Sequence, residues 1–301
     1  MAHHHHHDHE NSTGNIKIAF FLNLGFTIIE FFGGIYTNSL AITSDALHDL
    51  GDSLSLGLSW YFQKVSTKKP TKNFSYGYKR FSLLGAIINS IVLIVGSIFI
   101  IYEAIPRIIK PEESDAKGMM YFAILGIIIN GAAVFKLKKG NSINEKVVAL
   151  HLLEDVLGWV AVLIASIVMQ FYNLPILDPI LSLLITFYVL FNIYKNMKES
   201  LRIILQGTPE EVSSEKIKEK ILAFDKIKSI HDIHLWTLDG NYNVFTVHLV
   251  LEDKNTVLHE TGKLKQKLKK MLHDDFDLEH ITIELEVLDE DCGYKSCNSA
   301  T

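Results

Sequence analysis

Residues 40–55, LAITSDALHDLGDSLS, set four ionisable side chains, Asp45, His48, Asp49 and Asp52, into a run that is otherwise apolar or small. A helix turns about 100° per residue, so His48 and Asp52, at i and i+4, stand one turn apart on one face. Asp45 falls on that face one turn earlier, with Asp49 at its margin. Residues 151–158, HLLEDVLG, repeat the spacing: His151 and Asp155 again stand at i and i+4, with Glu154 beside them. Each ionisable group near a bilayer centre costs roughly 3 kcal/mol on insertion scales. Two runs carrying that cost at one spacing call for a shared partner.

Both runs sit inside apolar stretches long enough to cross a bilayer, which takes roughly 20 residues. Six such stretches are read, at 16–36, 39–62, 81–105, 118–137, 147–170 and 177–197. Only Thr37 and Asn38 separate the first two, so they are antiparallel neighbours. Orientation follows from basic residues in short loops. Lys64, Lys68, Lys69, Lys72, Lys79 and Arg80 crowd 63–80 without an acid, and Lys136, Lys138, Lys139 and Lys146 crowd 136–146. The loop at 106–117 mixes signs, and that at 171–178 has no base. Both termini are therefore expected in the cytoplasm. The short 136–146 loop, without a long histidine-rich insert, suggests a prokaryotic plasma membrane.

After Gly207 the pattern changes. Residues 209–224 have a helical period behind Thr208, a plausible N-cap. HDIHLWTL and YNVFTVHLVLE alternate like two strands around Asp239, Gly240 and Asn241. Residues 256–273 read as a second amphipathic helix and HITIELEVL as a third strand. The expected fold is thus an α-helical membrane bundle of six transmembrane helices plus a C-terminal cytoplasmic α+β domain, αββαβ and ferredoxin-like. The expected divisions are a His-rich tail at 1–15, the bundle at 16–206, the cytoplasmic domain at 207–291 and a tail at 292–301. In a chain of 301 residues, a net charge of −5 excludes a general nucleic-acid binder.

A metal ion suits the paired HxxxD runs. Two imidazoles and two carboxylates, from His48, Asp52, His151 and Asp155, make a tetrahedral set fit for Zn²⁺. Harder ions prefer all-oxygen octahedra. Cadmium, cobalt, nickel and iron stay open. The competing reading pairs these groups with one another or lines a water cavity with them.

The sequence closely resembles the cation diffusion facilitator family, in its subgroup of bacterial zinc, cadmium and cobalt exporters. The likeness runs from about residue 15 to 290. It is carried by Asn23 and Glu30 ahead of Gly34, SLAITSDALHDLGD, YGYKR, LGAIIN, HLLEDVLG, and QGTPEEV leading into HDIHLW. The resemblance implies that His48, Asp52, His151 and Asp155 form a transport site, that zinc is exchanged for protons, and that the protein is a homodimer whose soluble domains pair below the membrane lipid. It also implies regulatory zinc at His231, His248 and the last strand, with His259 a further candidate. Here that strand carries Glu284 and Glu286, where a His and an Asp are usual. Ser82 stands where an acid is frequent, and Asp49, Glu154 and Trp159 where apolar or small residues are. Asp45, Asp49 and Glu154 are read as modulators of affinity or ion range.

Weaker features have blander readings. Asn23 and Glu30 fit interhelical hydrogen bonds, Trp236 a core position, and YGYKR an interfacial anchor for the third span. The opening MAHHHHHDHE is either a natural metal-collecting tail or a tag; its five histidines broken by Asp8 favour the former. Cys292 and Cys297, in CGYKSC, supply half a zinc site or none. A membrane zinc hydrolase would need a motif such as HExxH, which HLLED lacks, and a channel would need weaker, multi-site binding.

Overall fold

Helical stretches account for most of the chain's first two thirds. In a computed structural model, which describes residues 6–138, 143–253 and 257–287, six long helices come first: α1 (His6–Thr37), α2 (Leu40–Ser66), α3 (Phe81–Ile109), α4 (Ala116–Leu137), α5 (Ile143–Tyr172) and α6 (Leu177–Ile204). Then follow α7 (Ser214–Leu222), β1 (Ile227–Thr237), β2 (Asn243–Leu251), α8 (Leu258–Phe276) and β3 (Leu278–Glu286). From residue 6 the segment read as a tail is thus continuous with α1, whose membrane-length window is Phe20–Thr37. Cys292 and Cys297 lie outside the described residues.

Among the described residues, five helices are long and apolar enough by length and composition to cross a membrane: α1, α3, α4, α5 and α6. The exception is α2, because Asp45, Asp49, Asp52 and Lys64 interrupt its apolar run. Only 33–39% of each apolar window is buried. Large side chains such as Tyr102, Phe135, Phe171 and Phe191 therefore face outward, as suits helices whose solvent is lipid.

The chain divides into two compact units, residues 1–62 with 85–197, and residues 63–84 with 198–301. In the first, α1 ends through Asn38, whose φ of +53° is one that asparagine tolerates, and Ser39 N donates back to Gly34 O at 3.0 Å. The core joins Phe26, Ile42, Met119, Ala123, Trp159 and Val162. Trp159 is fully buried, tilted against Phe26 with ring centroids 5.6 Å apart. It fits because residue 126 is glycine; a Cβ there would lie 2.4 Å from the indole.

The second unit is a three-stranded sheet in the order β1-β2-β3. β1 and β2 are antiparallel, and β2 and β3 parallel, the latter joined by α8 because a parallel pair needs a crossover. The hairpin turn is closed by Asp239 Oδ1, which accepts from Asn241 N at 3.0 Å and Tyr242 N at 2.8 Å. Gly240 has φ +94°, a conformation glycine adopts without strain. Ile217, Ile221, Phe245, Val247, Leu249, Leu264, Leu268 and Leu272 form the core between the sheet and its helices.

Thr208 is not the N-cap of α7. Ser213 holds that position, accepting from Lys216 N at 3.3 Å. The segment before it is tied back to the end of α6: Arg202 pairs with Glu210 and donates Nη2–H to Thr208 O at 2.7 Å, so those residues cannot wind into the helix.

Candidate functional site

The start of α2 is held by a residue far away in sequence. Asp178, buried at the start of α6, accepts from Ser39 Oγ at 2.6 Å, Leu40 N at 2.8 Å and Ala41 N at 3.2 Å. These N–H groups would otherwise be orphans of a helix start. Further along α6, Thr186 donates its hydroxyl to Ser182 O at 2.8 Å. The Ser44–Thr186 contact at 3.0 Å is therefore donated by Ser44. These two ties fix α2 against α6. Asp178→Ala strips the acceptor from the Ser39 and Ser114 hydroxyls and from two backbone N–H groups in a buried place. It should cost about 3 kcal/mol, seen as a fall in the melting temperature of the purified protein, with Asp178→Asn falling between because it keeps one acceptor oxygen.

On the helix so fixed, Asp52 meets two imidazoles from two helices. Its Oδ2 lies 3.5 Å from His48 Nε2 and 3.0 Å from His151 Nε2. Two ligands of one tetrahedral zinc ion stand about 3.3 Å apart, given bonds near 2.0 Å. The two rings are edge to face, their centroids 6.1 Å apart. Asp155, one turn beyond His151 on α5, is buried, and its Oδ2 has no hydrogen-bond partner. A cavity of about 10 Å³ beside His48, lined also by Ser44, Leu93, Gly96 and Thr186, is no larger than one water requires.

Three further acids surround these groups differently. Asp45 and Asp49 are buried, whereas Glu154 is exposed, so the two readings of an acid beside a ligand pair part company: only the α2 acids face inward. Glu30 joins them from α1. It is fully buried beside Asp49 and the Trp159 indole, yet neither of its oxygens meets hydrogen-bond geometry, and nor does Asn23 Oδ1. Burying carboxylates unpaired is costly, and Glu30, Asp45 and Asp49 sit together in that condition.

In the second unit, sheet register builds another cluster. His231 lies across from His248, and His248 across from Glu284; Glu286, two residues on, shares Glu284's face. Glu286 reaches His231 Nε2 at 3.1 Å and His248 Nδ1 at 2.8 Å, and Glu284 reaches His248 Nε2 at 3.3 Å. Among the described residues, only His231, His248 and Glu286 offer three ligand atoms within 4.8 Å of one another. His259, exposed at the start of α8, is not in this group.

Sequence reasoning missed Asp232. A bulge between His231 and His234 leaves it at φ +49° and turns it to the same side as its neighbour, which a regular strand would forbid. Its carboxylate lies 3.4 Å from His248 Nε2 and 3.0 Å from His234 Nε2.

Comparison with known proteins places these two clusters in context. Residues 16–205 match the family model for the cation efflux transmembrane domain, and 209–287 that for the cation efflux protein cytoplasmic domain. The chain is 34% identical to the cadmium, cobalt and zinc/H⁺-K⁺ antiporter of Bacillus subtilis, over 92% of this chain and 91% of that protein. It is 34% identical to the metal cation efflux system protein CzcD of Cupriavidus metallidurans, over 93% and 89%. The zinc transporter ZitB of Escherichia coli is 30% identical, over 92% and 88%. A solved metal-bound C-terminal domain of a CzcD transporter shares 37% identity over 25% of this chain and 99% of its own, with a TM-score of 0.23.

Proposed function

The chain belongs to the cation efflux family, whose members are transporters rather than enzymes, and on that premise we propose that it exports divalent transition-metal ions, zinc first among them, through His48, Asp52, His151 and Asp155. The observation that carries this reading is the Asp52 carboxylate, which stands within ligand spacing of two imidazoles from different helices. Asp155 supplies the fourth donor, one turn from His151. Relatives named for cadmium, cobalt and zinc agree with a donor set soft enough to prefer these ions to magnesium.

In this reading α2 is a sixth span, tolerated in the bilayer because its acids and His48 face the bundle interior and the cargo. The excess of lysine and arginine at 63–80 and 136–146 supports a cytoplasmic side for both termini, and the short 136–146 loop, without a histidine-rich insert, supports a prokaryotic plasma membrane. The protein works as a homodimer, a reading supported by a cytoplasmic-domain family model named for its dimer. Alternating access carries the ion, because a donor set of two imidazoles and two carboxylates favours occupancy over the loose binding of a channel.

Proton exchange follows from the ligands. Imidazole binds metal only in its neutral form, so protons and metal compete for His48 and His151. An acidic exterior protonates the vacated site and promotes release; the cytoplasm takes those protons back and lets metal rebind. Asp45 and Asp49 modulate affinity from behind the ligands, and Glu154 does so from the exposed side.

A second metal role belongs to the soluble unit, where His231, His248 and Glu286 form the one described three-ligand group. Zinc there acts as a regulatory ligand, with Glu284 and Asp232 completing its surroundings. The test of the transport reading is growth of an efflux-deficient bacterial strain expressing the chain, scored ion by ion. Zinc tolerance should rise most, followed by cadmium and cobalt; tolerance to none of them would sink the reading.

A further inference from the structure

The loop between α2 and α3, read from sequence as an interfacial anchor, is folded onto the sheet of its own unit. Thr71 and Phe74 exchange backbone hydrogen bonds of 3.0 and 3.2 Å, and Gly77, at φ +79°, donates its N–H to Phe74 O at 2.9 Å. Phe74, Tyr78 and Phe81 pack ring on ring. Two contacts seat this loop: Tyr76 lies edge-on to His280 at 5.2 Å, and the Lys79 ammonium sits 4.3 Å over the Tyr242 ring.

Between loop and sheet is a cavity of about 690 Å³ whose wall carries Lys68, Lys69, Lys79, Tyr76, Tyr242 and His280. None of its lining residues is acidic, and the sequence holds no acid from Ser53 to Tyr102. Glu279 is felt at Tyr242 from outside that lining. Three ammonium groups gathered on one wall repel one another; an anion relieves them. The hydroxyls of Ser66 and Thr67 already donate to Gln63 O and Lys64 O, so the donors left in the lining are the ammoniums, the Ser75 hydroxyl, the Tyr76 and Tyr242 phenols and the His280 ring. Burial pushes the Tyr242 phenol above its usual pKa, so it keeps its proton. The volume is that of a small-molecule site rather than a bare ion, and the tyrosine rings offer faces for the rest of a molecule.

We propose that this cavity binds a phosphate group carried on a larger organic molecule, held by Lys68, Lys69 and Lys79. The loop leaves α2 at Ser66 and enters α3, a membrane-length apolar helix, at Phe81. The phosphate is thus either the headgroup of an anionic phospholipid or a soluble phosphate ester. The site is independent of which ion is transported.

The test uses the full chain in a neutral detergent and reads its melting temperature with short-chain phosphatidylglycerol, short-chain phosphatidylcholine, glycerol 3-phosphate, or sodium chloride at matched ionic strength. Phosphatidylglycerol should raise the midpoint beyond the salt control. The Lys68→Gln/Lys69→Gln variant, which removes two of the three charge-assisted contacts, should need at least about tenfold more of it. Lys72→Gln, on the same loop but outside the cavity wall, should behave as the parent. Lys69→Gln alone serves if the double variant does not fold. An effect of phosphatidylglycerol alone identifies the headgroup, and an equal effect of glycerol 3-phosphate identifies soluble esters. The proposal is overturned if no anion exceeds the salt control, if phosphatidylcholine matches phosphatidylglycerol, or if the cavity variants respond like the parent.

Discussion

Asp52→Ala is expected to abolish zinc export, lowering the transport rate at least about 100-fold while the protein still inserts. Among the described residues this side chain alone is ion-paired with both imidazoles, so its loss disconnects α2 from α5 at the site and removes one of two anionic donors. Asp155→Ala should do nearly as much. Asp49→Ala and Glu154→Ala should leave transport measurable, with Asp49→Ala the larger of the two, since Asp49 is buried and Glu154 is exposed. Zinc tolerance of an efflux-deficient strain at equal expression reads all four. Full tolerance with Asp155→Ala would refute a shared site.

His248→Ala should erase the stabilisation of the soluble domain by zinc. Residues 207–301 hold a complete apolar core, from Ile217 on α7 to Ile283 on β3, and are expected to fold alone. Metal that binds only the folded form stabilises it by about 2.7 kcal/mol at 100 times its dissociation constant. His248 touches Glu286, Glu284 and Asp232 at once, so no other single change removes as much of the site. A zinc-dependent rise in melting temperature that survives His248→Ala would return His231 and His248 to structural roles.

How far the sequence could be read depended on the range over which its residues act. The HxxxD pairs were visible because helix period alone puts His48 above Asp52 and His151 above Asp155. The period of a strand likewise set Glu284 and Glu286 on one face of β3, while the grouping of His231 and His248 with that strand rested on the family resemblance. Asp178 was invisible for the opposite reason. It caps α2 across 139 positions of sequence, whereas a lone aspartate before Pro179 reads as the cap of its own helix. Asp232 was hidden by the bulge, because a strand pattern assigns consecutive side chains to opposite faces. Thr208 looked like an N-cap because the acids Glu210 and Glu211 behind it suit a first helical turn; Arg202, bonded to Thr208 O, keeps that segment out of the helix. The acids that made α2 informative are also what removed it from the apolar spans. Function and hydropathy pull against each other in that helix.

Flux into proteoliposomes holding the purified protein tests the central claim most directly. Zinc should enter saturably through the cytoplasmic face, faster when the lumen is acidic, and each entry should alkalinise the lumen as protons leave. Asp52→Ala proteoliposomes should show neither movement. Zinc flux that ignores the pH gradient would contradict proton exchange, and zinc flux undiminished by Asp52→Ala would contradict the site itself.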